Sequence, residues 1–154
     1  MSTLNWEVKA LHQLAGSQLF DVMQLRVNVF VVEQQCVYPE LDEKDRDAET
    51  RHIIGCDEKG GLTAYARILP PGLSYPEVGM GRLVVKKERR GQGFGHQLLR
   101  KALEEIHHVW PGRTVKLAAQ EYLRGFYEHH GFTMESDRYL EDGIPHIDMV
   151  KVSC

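Results

Sequence analysis

The stretch that decides the fold of this chain is Leu83-Val84-Val85-Lys86-Lys87-Glu88-Arg89-Arg90-Gly91-Gln92-Gly93-Phe94-Gly95. Its apolar beginning predicts a strand that ends at Val85, and a charged turn follows that strand. Three glycines, Gly91, Gly93 and Gly95, then alternate at the start of a segment with helical periodicity. Because glycine has no Cβ, several backbone N–H groups can converge there on one ligand. The stretch therefore predicts a strand, a turn and a helix with an anion-binding site between them.

A pyrophosphate group would suit this turn. The first N–H groups of a helix have no internal partners, and the helix dipole places partial positive charge at that end. Arg90 adds a full positive charge beside the glycines. The G-x-G-x-G spacing differs from the G-x-G-x-x-G pattern of dinucleotide-binding folds, and the sequence contains no Walker A motif. Tight packing of a helix on a sheet is the alternative explanation of the same glycines.

Composition bounds the class of protein. A chain of 154 residues with 42% hydrophobic and 27% charged residues predicts one compact domain over residues 1–154. We expect no membrane span, and residues 1–7 lack the basic and apolar regions of a secretory signal, which predicts a cytoplasmic protein. Interspersed charges with a net charge of −3 argue against a general nucleic-acid binder.

Cysteine and histidine usage gives no sign of a metal site. The three cysteines, Cys36, Cys56 and Cys154, are widely separated, and we expect reduced thiols, with a chemical role for Cys36 as a minor alternative. The doublets at 107–108 and 129–130 place neighbouring histidines on different sides of a helix. The sequence therefore predicts no bound metal.

The order of elements predicts the architecture. Strands are expected at residues 6–10, 51–56, 62–69, 78–85, 115–119, 132–135 and 147–152, with a hairpin turn at 57–61. A first helix capped by Ser17 would turn Phe20, Met23, Val27 and Phe30 toward the core. A second helix would run from the glycine turn to about residue 108, and a short third one would cover 122–130, with a polar loop at 34–50 and turns at 137–145. This order predicts an α/β fold with one mixed, mainly antiparallel sheet flanked by helices on both faces.

Four motifs resemble one enzyme family. Arg90 to Gly95 has the pattern R-x-x-G-x-G, and with Gly81-Arg82-Leu83-Val84-Val85 before it resembles the acetyl-coenzyme A signature of the GCN5-related N-acetyltransferases, the GNAT family. Leu123-Arg124-Gly125-Phe126-Tyr127-Glu128-His129-His130-Gly131-Phe132 resembles that family's second signature. Residues 25–34 and 139–149 are similar to the ElaA-type subfamily. The resemblance covers nearly the whole chain, and its motifs occur in the family's order.

The resemblance implies acetyl-CoA as co-substrate and assigns residues to it. The main chain of Leu83 and Val85 would pair with the pantetheine arm, and an N–H at Val84 would polarise the thioester carbonyl. The pyrophosphate would be held by the turn Arg90, Gly91, Gln92, Gly93, Phe94, Gly95 and His96. Gln120 would contact pantetheine, and Tyr127 would bind the cofactor and protonate the departing thiolate.

Physical chemistry supports these two kinds of role. Acyl transfer to an amine develops an oxyanion, and a backbone N–H on a rigid strand can stabilise it. A phenol has a pKa near 10, so at neutral pH it holds a proton that it can donate. The alternative for Tyr127 is a packing role between helix and sheet, together with Phe126.

The sequence offers several candidates for the general base and for the amine that accepts the acetyl group. Candidates for the base or for acceptor contacts are Glu33, Glu77, Glu141, Asp142 and His146, and His146 could equally be a turn residue. The acceptor could be a small polyamine or amino sugar, a protein lysine or a protein amino terminus.

The sequence also allows two other functions and a homodimeric assembly. The alternatives to an N-acetyltransferase are a non-catalytic coenzyme A sensor or interaction module and, from residues 26–30, an acyl-transferring signal synthase. An exposed strand edge expected at 147–152 predicts a homodimer that pairs through it.

Overall fold

A computed structural model describes residues 3–152 of the chain, so the prediction for Cys154 and that for the first two residues lie outside the described part. The strands are β1 Asn5–Lys9, β2 Arg51–Cys56, β3 Leu62–Leu69, β4 Val78–Val85, β5 Val115–Gln120, β6 Thr133–Met134, β7 Tyr139–Glu141 and β8 Ile144–Lys151. The helices are α1 Gly16–Arg26, which continues as a π-helix over Val27–Glu33, α2 Phe94–Val109 and α3 Arg124–His129. Short 3₁₀ turns cover Leu11–Gln13, Glu43–Arg46, Lys87–Arg89 and Glu121–Leu123.

Within residues 3–152 the strands form one sheet in the order β1-β2-β3-β4-β5-β8-β6, and β7 also pairs with β8. Each pairing is antiparallel except that of β4 with β5, which is parallel. The predicted mixed, mainly antiparallel sheet is confirmed. The bounds predicted for β2, β3 and β4 agree with those observed.

Helices cover both faces of the sheet. Neighbouring residues of a strand point to opposite faces, and Ile53 packs with α2 and α3 while Ile54 packs with α1. The larger core lies under α2, whose buried residues Phe94, Leu98, Leu99, Ala102 and Ile106 form the predicted apolar face. The smaller core joins α1 to Tyr65 of β3 and Val84 of β4.

The predicted face of the first helix is confirmed only in part. Met23 and Phe30 are partly buried and pack against the smaller core, but Phe20 is 63% exposed, and the buried residues are Val22, Leu25, Arg26 and Val29. Arg26 is buried because carboxylates surround it, a condition that hydrophobic periodicity cannot register. From Val27 the helix also widens to π geometry, which shifts the later residues around the axis.

The predicted cap of that helix is wrong. The helix begins at Gly16, and its N-cap residue is Ala15, with no side-chain hydrogen bond at the cap. Ser17 therefore lies inside the first turn and does not cap it.

The segment 137–145, predicted as turns, contains a hairpin. β7 pairs with the start of β8, and Asp142 and Gly143 form the turn with φ values of 51° and 78°. Two successive positive φ values are typical of an Asp-Gly hairpin turn. The Asp-Gly dipeptide is thus the local sequence signal of this hairpin.

The exposed edge predicted at 147–152 is wrong. β5 pairs along one side of β8, and β6 and β7 pair along the other. A homodimer stays a prediction, now without this edge to support it. Among residues 3–152, no helix combines the length and the apolar character that crossing a membrane requires.

Candidate functional site

A cleft opens where β4 and β5 separate. Their parallel pairing consists of Val78 with Val115 and Gly79 with Lys116. Beyond these pairs β4 continues along β3, and β5 continues along β8. The resulting cleft has a volume of about 730 Å³, and its walls include the last residues of β4, the glycine turn and the start of β8. One side of the β4 main chain therefore lies open to a ligand.

A bulge in β4 precedes this open stretch. Tyr65 and Arg67 of β3 lie opposite Val84 and Gly81, so three steps along β4 match two steps along β3. Arg82 carries the bulge with a φ of 54°, in the left-handed region that residues with a Cβ rarely adopt.

The ladder fixes which main-chain groups face the cleft. The N–H of Lys86 donates to the carbonyl of Thr63 at 2.8 Å. Because direction alternates along an antiparallel ladder, the main-chain groups of Val84 face Tyr65, and those of Leu83 and Val85 face the cleft. The Val85 carbonyl does point away from β3, since it accepts a hydrogen bond from Nε of Arg90 at 3.2 Å.

The glycine turn is open to an anion. Gly91 and Gly93 have φ values of 82° and 81°, and apart from each glycine and its chain neighbours no atom lies within 4 Å of the place where a Cβ would sit. α2 begins at Phe94, and no side chain hydrogen-bonds to its N-terminus. The N–H groups of Phe94 and Gly95 therefore have no intrahelical acceptor, and the turn fits a phosphate group.

Three residues predicted for the turn do not direct their side chains to an anion there. Gln92 is exposed and does not line the cleft. His96 packs against α3, with its Nδ1 2.8 Å from Nε2 of His130 and its ring 4.8 Å from that of Phe126. The ring of Phe94 is buried in the main core, so these residues offer the turn only their main chain.

Arg90 reaches across the cleft to Glu33, at the end of the π-helix. Its two terminal nitrogens lie 2.7 and 3.1 Å from the two carboxylate oxygens. The hydrogen bonds from Arg90 hold the pKa of Glu33 below its usual value. A carboxylate with a lowered pKa is a weak base, so the geometry favours a partner role for Glu33 over the predicted role as base.

Tyr127 lines the cleft from α3 and is 6% exposed. Its ring packs between Phe126 and Phe132 at centroid distances of 5.2 and 5.9 Å. Among residues 3–152 its hydroxyl has no hydrogen-bond partner. Burial raises the pKa of Tyr127 above that of a free phenol, so the hydroxyl stays protonated and available to a ligand.

His146 and Glu141 lie together on the β7–β8 side of the cleft. Nδ1 of His146 is 2.7 Å from the carbonyl of Ile144. A carbonyl can only accept, so Nδ1 carries a proton and donates it. Nε2 lies 3.5 Å from a carboxylate oxygen of Glu141. In the neutral imidazole Nε2 is then the nitrogen without a proton, and it can accept one.

Gln120 lies at the end of β5, directly opposite His146 in the β5–β8 register. Its amide donates to the Gln34 side chain at 3.3 Å, which links β5 to the loop at 34–50.

The remaining candidates differ in where they lie. Asp142 and Cys36 line the cleft, and the Cys36 sulfur is 3.7 Å from the Asp142 carbonyl. Glu77 does not line the cleft.

A buried charge cluster borders the cleft, and the sequence patterns did not predict it. Arg26, Glu40, Asp45 and Arg67 are each at most 4% exposed. Nε of Arg26 lies 2.7 Å from Glu40, and Asp45 accepts from Arg26 at 2.7 Å and from Arg67 at 3.1 Å. Arg67 inside an apolar strand run was a usable signal, since a charge in such a place needs a partner. The acidic residues of 34–50 supply that partner.

Within the described residues 3–152, no three histidine, cysteine or acidic side chains converge as a metal site would require.

Comparison with known proteins agrees with the fold. Residues 20–153 match the family model of the acetyltransferase (GNAT) domain. The chain is 42% identical to the protein ElaA of Escherichia coli strain K12. The alignment of 148 residues covers 96% of each of the two chains. The crystal structure of E. coli ElaA superposes with a TM-score of 0.90 at 41% identity, covering 96% of this chain and 99% of that one.

A crystal structure of an acyl-CoA N-acyltransferase from Pseudomonas aeruginosa is also similar. It superposes with a TM-score of 0.92 at 40% identity, covering 97% of this chain and all of that chain (100%). The resemblance stated from four sequence motifs is therefore confirmed: the chain belongs to the GNAT family of acetyltransferases and is ElaA-like.

Proposed function

We propose that this protein is an acetyl-CoA-dependent N-acetyltransferase that moves the acetyl group directly to a primary amine. The observation that carries the proposal is the cleft between β4 and β5, which is lined by open main chain, by an uncapped glycine turn and by Tyr127. Acetyl-CoA supplies the activated acetyl group, and the residues of the cleft bind it, orient it and move protons.

The open side of β4 supports binding of the pantetheine arm. Leu83 and Val85 direct their main-chain groups into the cleft and can pair with an amide-containing chain as another strand would. The main-chain groups of Val84 face β3, so we assign polarisation of the thioester carbonyl to an N–H of its neighbours Leu83 or Val85. A donor on a paired strand needs little reorganisation when negative charge develops.

The glycine turn and Arg90 would hold the pyrophosphate. Gly91 and Gly93 leave open space, and the N-terminus of α2 adds backbone donors and partial positive charge. Arg90 would exchange its Glu33 partner for phosphate oxygens, which bind guanidinium in the same two-pronged way.

Two residues of the cleft, Tyr127 of α3 and His146 of β8, would transfer protons. Tyr127 keeps its proton because it is buried, and it can donate to the departing thiolate. His146 presents Nε2 with Glu141 beside it, and it can accept the proton that the attacking ammonium group must lose. The Ile144 carbonyl orients the ring through Nδ1, and Glu141 would stabilise the imidazolium that forms.

The decisive experiment measures free thiol release from acetyl-CoA in the presence of polyamines, aminoglycosides, amino acids and lysine peptides. Release that depends on one amine class would establish the transferase and identify its acceptor. A parallel series of longer acyl-CoAs tests the signal-synthase alternative, which requires a preference for long chains. Tight coenzyme A binding without release from any donor would instead favour a sensor.

Replacing Tyr127 by phenylalanine removes the proposed acid and keeps the ring that packs against Phe126 and Phe132. We expect turnover to fall by roughly 10²–10⁴-fold with little change in coenzyme A affinity, because proton transfer is lost and binding is kept. The matched control is Tyr122→Phe, another phenol of the cleft that is 78% exposed. Equal rates for Tyr127→Phe and wild type would reject the assigned role.

The proposed base is tested by His146→Gln. We expect turnover at neutral pH to fall roughly 10²–10⁴-fold, and to recover as pH rises, because the acceptor amine then loses its proton to solvent. His108→Gln, an exposed histidine of α2, is the control. If the pH profile of His146→Gln runs parallel to that of wild type, the proton is removed by another group.

Glu33→Gln tests the competition for Arg90. An exposed ion pair of this kind is worth up to about 1 kcal/mol, so its removal should strengthen coenzyme A binding by up to about fivefold. Glu88→Gln is the control, since it removes the same charge near the turn without breaking a bond to Arg90. Calorimetric titration measures both affinities, and equal values for the two variants would contradict the competition.

A further inference from the structure

The bulge in β4 is held by a side chain. Arg82 has a left-handed φ of 54°, a conformation that glycine adopts freely and that other residues keep only where their surroundings enforce it. Its Nε lies 3.0 and 2.9 Å from the two carboxylate oxygens of Glu40, and its Nη2 lies 3.3 Å from the Glu40 carbonyl. Glu40, a single residue of the loop at 34–50, thus accepts hydrogen bonds from Arg82 with three oxygen atoms.

Glu40 is itself fixed. It is 4% exposed, and it accepts from Nε of Arg26 at 2.7 Å and from the Tyr38 hydroxyl at 2.7 Å. Nη2 of Arg26 also donates to the Glu40 carbonyl at 3.0 Å, and Asp45 holds the other side of Arg26. Glu40 cannot move without leaving buried charges unpaired, which makes it a firm anchor.

The bulge sets the orientation of the open stretch of β4. Leu83 is the next residue, and the direction in which Leu83 and Val85 present their main-chain groups depends on the extra residue at Arg82. Without the extra residue, and with Gly81 still opposite Arg67, the residues Leu83 to Val85 would each shift by one place against β3. Leu83 and Val85 would then turn their main-chain groups toward β3 and away from the cleft.

We propose that Glu40 and Arg82 form a positioning device that holds the β4 bulge, and through it the main-chain donors of Leu83 and Val85, in one conformation. The inference rests on the proposed function, since those donors are the groups assigned to the thioester. Arg82 is a positioning residue here: it acts through the backbone of its own strand.

The test compares Arg82→Gly with Arg82→Ala. Both variants lose the same contacts to Glu40, which keeps Arg26 and Tyr38 as partners. Glycine still adopts the left-handed conformation, whereas alanine favours relaxation of the bulge. Removing an oxyanion donor costs about 10²–10³ in kcat, so displacing one should cost roughly tenfold to a hundredfold in Arg82→Ala. We expect kcat of Arg82→Gly to stay close to that of wild type, because glycine keeps the conformation of the bulge.

A merely structural role predicts that the loss in Arg82→Ala follows from its lower stability alone, because alanine is strained at a positive φ. In that case kcat per folded molecule, corrected by the folded fraction from thermal unfolding, would be equal in the two variants. A contact between the guanidinium and the acceptor predicts a third pattern, in which both variants raise the acceptor KM equally. Either result would overturn the inference.

A spectroscopic measurement separates this inference from the proposed function. Amide ¹⁵N–¹H spectra report the main chain of Val84 and Val85 whether or not the protein turns over any acceptor. We expect their signals to stay near the wild-type positions in Arg82→Gly and to move in Arg82→Ala. Equal movement in the two variants would overturn the positioning device, while inactive wild-type protein with this difference intact would reject only the proposed function.

A second variant tests the anchor. Glu40→Gln keeps the shape of the side chain and removes its charge, and we expect the Val84 and Val85 signals to move as in Arg82→Ala. Glu43→Gln is the control, because its carboxylate is 88% exposed in the same loop. Unchanged signals in a folded Glu40→Gln protein would show that Glu40 does not hold the bulge.

Discussion

The separation of β4 from β5 after two residue pairs is the constraint on which the site depends. A strand inside a sheet normally has its main-chain groups paired on both sides, so parting two central strands exposes donors and acceptors within the fold. Here β4 stays paired with β3 and β5 stays paired with β8 where the two strands part. The cleft is therefore lined by fixed main-chain groups of the kind that catalysis of acyl transfer uses.

The walls of this cleft are stabilised in different ways. The α2 and α3 side rests on the apolar core, which fixes Tyr127 and the start of α2. The opposite side includes the loop at 34–50, which has few apolar residues and is held by the charge cluster around Arg26. Buried ion pairs stabilise less than apolar packing does, yet they demand specific geometry. This side of the cleft is therefore defined by hydrogen-bond directions.

Much of the site could be predicted from local sequence. The glycines, Arg90 and Tyr127 lie at the cleft because each belongs to a motif whose spacing fixes its local conformation. Residues brought together across the sheet were harder to place. His146 and Gln120 face each other through the β5–β8 register, and Glu33 reaches Arg90 across 57 positions of the chain. Periodicity carries no information about such pairs, because register and ion pairing are set by distant segments.

The sequence by itself determined the class of fold, the bounds of β2, β3 and β4, and the strand–turn–helix unit at residues 83–95. Those features depend on period, glycine placement and turn chemistry, which act over a few residues. Only the tertiary structure decided which face of α1 is buried, which partner Arg90 has and where β4 carries its bulge. The reason is that a buried charge such as Arg26 becomes favourable only when folding brings its partners Glu40 and Asp45 to it.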